Sequence, residues 1–183
     1  MEEKTSGQSL KDEGLRLFQE GLYDEAAAQF QRAYEFFRAE EDGVEAAEML
    51  NNLGVVYRMQ GDWDEAIAAL DESKGSFALL GDRSREAQTL GNLGGLYASK
   101  GDREKAKECL QAAADLFEEL GDTQRQGETL LALGVQSWKT GERSEGMATY
   151  ESGLGKLDRP TAGQKALRSL LGVRNRLLNK PQS

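Results

Sequence analysis

The chain repeats itself every 40 residues, and this repeat has to be read before any local motif. Residues 51–70, NNLGVVYRMQGDWDEAIAAL, align with residues 91–110, GNLGGLYASKGDREKAKECL. The same offset carries Gly14 onto Gly54, Gly94 and Gly134. It also carries Gly21 onto Gly61, Gly101 and Gly141, and Asp42 onto Asp82 and Asp122. A unit this short cannot bury its own apolar face, so neighbouring copies must stack and share a core.

Within one period Leu50, Leu53, Gly54 and Tyr57 recur at three- and four-residue spacing, and after a Gly-Asp pair Ala66, Ile67 and Leu70 do the same. That periodicity predicts two amphipathic helices per repeat. The glycines suit the left-handed residue just past a helix end. The aspartates that follow, Asp62, Asp82, Asp102 and Asp122, suit N-caps that accept first-turn amide hydrogens, and Asp62 with Glu65 has the spacing of a capping box.

Composition narrows the chemistry. The 183 residues contain no histidine, which removes Ser-His-Asp and Cys-His nucleophile arrangements, HExxH metal sites and the commonest general base. The remaining bases are carboxylates such as Asp12, Glu48 and Glu128, and none has a metal-ligand spacing or a phosphate-cradling glycine loop beside it. They are therefore expected to be solvated surface, with no cofactor and no enzymatic role. Cys109, the single cysteine, permits neither an internal disulfide nor a cysteine zinc site, and its place beside Ala106 and Leu110 predicts a buried, inert thiol. A net charge of −9 disfavours nucleic acid and anionic lipid as partners. No apolar run approaches the ~18 residues that span a bilayer. The acidic start MEEKTSGQSL lacks the bases and apolar stretch of a signal peptide, so the expected setting is soluble and cytoplasmic.

The columns Leu50-x2-Leu53-Gly54-x2-Tyr57 with Ala66 and Leu70, and Leu90-x2-Leu93-Gly94-x2-Tyr97 with Ala106, Leu110 and Ala113, resemble the tetratricopeptide repeat. A looser first copy keeps Leu10, Gly14, Leu17, Ala26, Phe30 and Ala33. A fourth keeps Leu130, Leu133 and Gly134, then places Ser137 at the aromatic position and Gly146, Gly153 and Gly155 in the last helix. Those three glycines predict the weakest repeat of the four. The longer, Gly-Asp-punctuated form is similar to the repeats of G-protein-signalling-modulator scaffolds and kinesin light chains.

The resemblance implies an all-α, right-handed α-solenoid of four helix hairpins, over about 7–42, 43–82, 83–122 and 123–157. A flexible N-terminus (1–6), a capping helix (158–180) and a short tail (181–183) complete the expected nine-helix organisation. Pro160-Thr161 signals the start of the capping helix. Its apolar stripe of Leu167, Leu170, Leu171, Leu177 and Leu178 is expected to bury against the fourth repeat.

In this family the first helix of each pair lines a concave groove. Carried over residue by residue, that nominates Lys11, Leu15 and Phe18 from the first copy, and Asn51, Asn52, Val55, Arg58 and Met59 from the second. Gln88 and Asn92 follow from the third, and Leu131, Val135, Trp138 and Lys139 from the fourth. Asn52 and Asn92 share a column, where each amide has both a donor and an acceptor for a peptide backbone. Gly91, Gly95 and Ala98 make the third wall small, leaving space for a bulky ligand side chain or for close helix packing. Lys11 and Asn52 fit the lysine-asparagine clamp of chaperone-tail-binding relatives, but Leu15, Gln88 and Asn92 break it.

Of the two tryptophans, Trp63 follows a cap and is expected to pack over its turn. Trp138 either fills the core beside Ser137, the preferred reading, or faces the groove. The expected function is a non-catalytic scaffold that binds a protein or peptide segment, as a monomer or weak homo-oligomer. A second reading is self-assembly through charged ends: residues 1–42 carry eleven acids and five bases, residues 156–183 seven bases and one acid.

Overall fold

The structure is a computed structural model that describes the backbone of residues 6–178 and the side chains of residues 6–171. Nine helices occupy the described residues, with no strand among them. The fold class is an all-α repeat solenoid. The chain divides into two compact units, Met1–Asp102 and Arg103–Ser183, with the boundary inside the third sequence copy.

The first unit holds α1 (Gly7–Gln19), α2 (Tyr23–Ala39), α3 (Gly43–Gln60), α4 (Trp63–Leu80) and α5 (Arg83–Lys100), each packed on its neighbour in sequence. Its core is built from the repeat columns: Leu10 and Leu17 of α1, Ala26, Phe30 and Ala33 of α2, and Met49, Leu53 and Val56 of α3. A Cβ at Gly14 would stand 2.7 Å from the Phe30 ring, so the glycine column admits the large side chain of the partner helix. Gly54 plays the same part for Leu70.

The turns follow the Gly-Asp pattern. Gly21, Gly61, Gly81, Gly101, Gly121 and Gly141 all have φ between 71° and 98°, the left-handed region that costs glycine least. The series has period 20, and its one departure is Glu41, which takes φ 57° where every other copy has glycine. Asp42, Asp82 and Asp122 accept from the amides of Glu45, Arg85 and Arg125 at 3.1, 3.0 and 2.9 Å. Asp62 stands in the same place but accepts no cap hydrogen bond, so the expected capping box with Glu65 does not form, and nothing in the local backbone explains the difference. The first helix is capped by Ser6, which accepts from the Ser9 amide at 3.1 Å.

The second unit holds α6 (Arg103–Glu119), α7 (Thr123–Lys139), α8 (Arg143–Lys156) and α9 (Ala162–Leu178). Its tightest feature is a double glycine contact between α7 and α8. A Cβ at Gly146 would come within 2.7 Å of the Gly134 carbonyl oxygen and of the Trp138 amide nitrogen. One at Gly153 would meet the Gly127 carbonyl at 2.7 Å. The seven-residue spacing on both helices keeps both pairs in register along the antiparallel contact. Gly146 and Gly153 therefore do not simply thin the helix, because alanine there would press on backbone that cannot swing away. Gly155 meets nothing within 4 Å and keeps the ordinary glycine penalty.

The start of α9 is fixed as Pro160-Thr161 suggests. The Thr161 amide donates to Gln164 Oε1 at 2.7 Å, and the Gln164 amide returns to Thr161 Oγ1 at 3.3 Å, a reciprocal capping box. α9 contacts α8, but its stripe is less buried than expected: Leu167 is 37 % and Leu170 68 % exposed, and Leu171 is half-buried. The side chains of Leu177 and Leu178 lie outside the described residues. The burial assigned to the stripe is provided instead by Leu154 and Leu157, at the end of α8, both almost fully buried.

Candidate functional site

The nominated residues fall on two faces, one in each unit. In the first unit, the faces of α1, α3 and α5 carry an ion-pair chain. Lys11 Nζ lies 2.8 Å from Glu45 and 2.7 Å from Glu48, while Arg85 bridges Glu48 at 3.4 Å and Asp82 at 2.6 Å. Burial works against the Lys11 charge, but the hydrogen bonds it donates to Glu45 and Glu48 outweigh it and hold the ammonium above its ordinary range. With its side chain only 13 % exposed, Lys11 is committed to the protein's own carboxylates.

The asparagines pair in a different register from the expected column. Asn92 Nδ2 donates to Asn51 Oδ1 at 2.9 Å, and Asn51 is buried, so this amide pair ties α5 to α3. Asn52 remains half-buried beside it. Asn51, Glu48, Arg85 and Gln88 join Phe77 and Thr89 around a small polar cavity of about 250 Å³.

Gly95 also changes meaning. A Cβ there would meet the Arg58 guanidinium at 2.7 Å, so the small wall accommodates the protein's own arginine, whereas Gly91 has open space around it. Phe18 turns toward Tyr23, with ring centroids 5.7 Å apart, and packs against the core. The apolar groups left open on this face are Leu15, 38 % exposed, and Met59, 47 % exposed, with Val55 half-buried.

In the second unit, Trp138 is 48 % exposed and Val135 39 %. The core placement of Trp138 is thus corrected. Ser137 occupies the buried position itself, and the Gly134–Gly146 contact brings α8 against the Trp138 backbone, leaving the indole no space inside. The ring instead forms one wall of an apolar cavity of about 300 Å³, with Gly134, Val135 and Lys139 of α7, Gly146, Met147 and Tyr150 of α8, and Leu167 and Leu171 of α9. The Arg143 guanidinium stands 5.9 Å from the indole centroid. Leu131 is half-buried on the same helix. Among the residues absent from the sequence reading, Met147 and Tyr150 are the informative ones. Tyr150 stands where the other copies have Phe30, Leu70 and Leu110, a difference that the repeat alignment displays.

Trp63, at the start of α4, is half-buried. Cys109 is half-buried as well, so the fully buried thiol expected from its neighbours is not found. No helix among the described residues is long and apolar enough to cross a membrane.

Paired helices closed by glycine turns and stacked at a 40-residue period define a helical-repeat protein. The chain belongs to the tetratricopeptide repeat superfamily: tetratricopeptide repeat models match residues 13–74 and 87–120. Several solved structures share the fold at low identity. BtubC (BKLC) from P. vanneervenii is 19 % identical, with TM-score 0.68, over 91 % of this chain and 64 % of that one. Aspartyl phosphate phosphatase F from Bacillus subtilis is 13 % identical, with TM-score 0.79, over 82 % of this chain and 39 % of that one. The putative kinesin light chain repeats of Podosopora anserina are 14 % identical, with TM-score 0.54, over 85 % and 97 %. The chain thus spans 64 % and 39 % of the lengths of the first two. No curated protein sequence matches it.

Proposed function

We propose that this chain is a non-catalytic protein–protein interaction scaffold that binds a peptide segment of a partner along the first helices of its hairpins. One observation carries the reading. Of the eight large apolar side chains exposed among the described residues before α9, four, Leu15 on α1, Met59 on α3, and Val135 and Trp138 on α7, stand on first helices at nominated positions. The others are Leu79 and Leu80 on α4, a second helix, and Leu22 and Leu120 in turns. Exposed apolar groups on rigid helices mark an interaction surface in each unit.

The helices are fixed by repeat packing, so the ordering cost of binding falls mainly on the ligand. On the first unit's face, Lys11 and Arg85 are paired with Glu45 and Glu48. Affinity on that face therefore comes from Leu15, Val55 and Met59, with Asn52 available to a ligand's amides.

The test is a selection of randomised dodecapeptides displayed on phage, followed by fluorescence anisotropy with the enriched peptides. Replacing Leu15 and Met59 together by glutamate should weaken binding by ~2 kcal/mol or more, whereas Leu79→Glu on a helix end should change it little. Equal losses from both variants, or from neither, would remove this face from the reading.

A further inference from the structure

We infer that the cavity formed by α7, α8 and α9 is an anchor pocket for a single bulky apolar side chain of a partner peptide, flanked in that peptide by acidic residues. This rests on the peptide-binding reading above and names what its second-unit end selects.

Size sets the class of occupant. At about 300 Å³ the cavity lies at the bottom of the range for small-molecule sites, room for one large side chain and little more. Its walls are Val135, Trp138, Met147, Tyr150, Leu167 and Leu171, which offer an aromatic or branched side chain apolar contact and a methionine that adapts to shape. All the lining residues belong to helices, whose backbone groups are already paired, so the polar groups left to the wall are the Trp138 indole N–H, the Tyr150 hydroxyl and the Lys139 ammonium. A side chain can enter while its backbone stays in water.

Charge sets the flanks. Lys139 is the charged residue of the lining and has no ion pair among the described residues. Arg143 stands over Trp138 with no carboxylate partner among them either. α9 adds exposed Lys165 and Arg168, and its segment Ala162–Leu178 contains no acid. The nearby Glu142 is held by Lys107 at 2.6 Å. Glu145 belongs to a different recess, with Glu104, Lys107 and Asp115. A protein of net charge −9 thus presents a locally basic rim around an apolar hole. That combination favours a carboxylate-flanked hydrophobic anchor and repels a basic one.

The experiment uses the same displayed dodecapeptides, selected on the full chain, and measures the enriched peptides against Val135→Glu, Leu167→Glu and Lys139→Glu. Val135 and Leu167 are already exposed, so these variants should keep the fold, which circular dichroism checks. The inference expects enriched peptides to carry one Phe, Trp, Leu or Met with at least one acid within three residues. It expects alanine at the anchor, or either pocket variant, to weaken binding at least tenfold. Lys139→Glu should weaken it several-fold, with the loss shrinking in high salt.

Peptides that bind the pocket variants as well as the wild type, but lose affinity with Leu15 and Met59 changed, would overturn the pocket while leaving the scaffold reading in place. Peptides enriched in bases would overturn the charge selection. Octanoate that saturates the pocket while no peptide is enriched would mark it as a site for small amphiphiles and overturn both readings.

Discussion

The α3–α4 and α7–α8 hairpins occupy equivalent places 80 residues apart and solve the same packing problem in opposite ways. At the four contact positions the first has Ala47, Gly54, Ala66 and Ser73, and the second has Gly127, Gly134, Gly146 and Gly153. In the first, Gly54 admits Leu70, and Ser73 donates to the Ala47 carbonyl at 2.8 Å, so side chains fill the seam. In the second, the atoms nearest the four glycines are chiefly backbone, the carbonyls of Gly127, Gly134, Gly146 and Gly153 sitting where methyl groups would be, with the Cβ atoms of Leu130 and Tyr150 beside them. The larger groups, Trp138 and Tyr150, are left at the outer edge, where they wall a cavity. Four glycines thus convert a filled seam into a close backbone contact and an open apolar pocket, and the pocket is a consequence of how the helices pack.

The largest effect follows from exchanging the two solutions. Gly146→Ala and Gly153→Ala should each destabilise the protein by ~1 to 3 kcal/mol, because the new methyl meets backbone, whereas Ala68→Gly, at an exposed position of α4, should cost ~1 kcal/mol from helix propensity alone. Urea unfolding of the three variants measures this directly. Similar losses in all three would mean that the close contact does not govern α7–α8.

The caps come next. Asp82 and Asp122 are both held below the ordinary aspartate range, chiefly by the backbone amides of Arg85 and Arg125 and then by their guanidinium groups. A folded value below the unfolded one adds stability that is complete above the unfolded value and is lost as pH falls through the folded one. Asp82→Ala or Asp122→Ala should therefore cost ~1 kcal/mol at neutral pH, and the gap to wild type should close below about pH 4. The same change at Asp62, which caps nothing, should cost less at every pH. A loss at Asp62 equal to that at Asp82 would contradict the cap geometry.

Two glycine substitutions with small effects sharpen the comparison. Glu41→Gly should gain a few tenths to ~1 kcal/mol by restoring the residue that every other left-handed turn position uses. Gly155→Ala, with open space around it, should gain up to ~1 kcal/mol in the same helix where Gly153→Ala is harmful. Opposite signs two residues apart are the signature to look for in thermal denaturation.

Much of this architecture was legible in the 40-residue period. The hairpins, the left-handed glycines and the Leu10, Phe30, Leu53 and Leu93 columns follow from spacing alone. What escaped depends on where a side chain meets another helix. The repeat column puts Asn92 opposite Asn52, but helix packing offsets the contact by one residue and pairs it with Asn51. Lys11 reads as an available cation because its two carboxylates lie 34 and 37 residues further along the chain. Gly146 and Gly153 read as weaknesses because propensity is a property of one helix. Their meaning appears only with Gly127 and Gly134 opposite, although the shared seven-residue spacing was a signal. The leucines of α9 suggested a closed cap, but Leu154 and Leu157 had already closed the end of α8.

The most direct measurement is the fluorescence of Trp138 with Trp63 replaced by phenylalanine, so that one indole reports. A glycine-closed α7–α8 seam places that ring half in water over an unfilled pocket. The free protein should then emit close to free indole in water and be quenched readily by acrylamide, and a pocket-bound peptide should shift the emission to the blue and protect it. A blue-shifted, quencher-resistant Trp138 in the free protein would put the indole in the core and remove both the seam and the pocket.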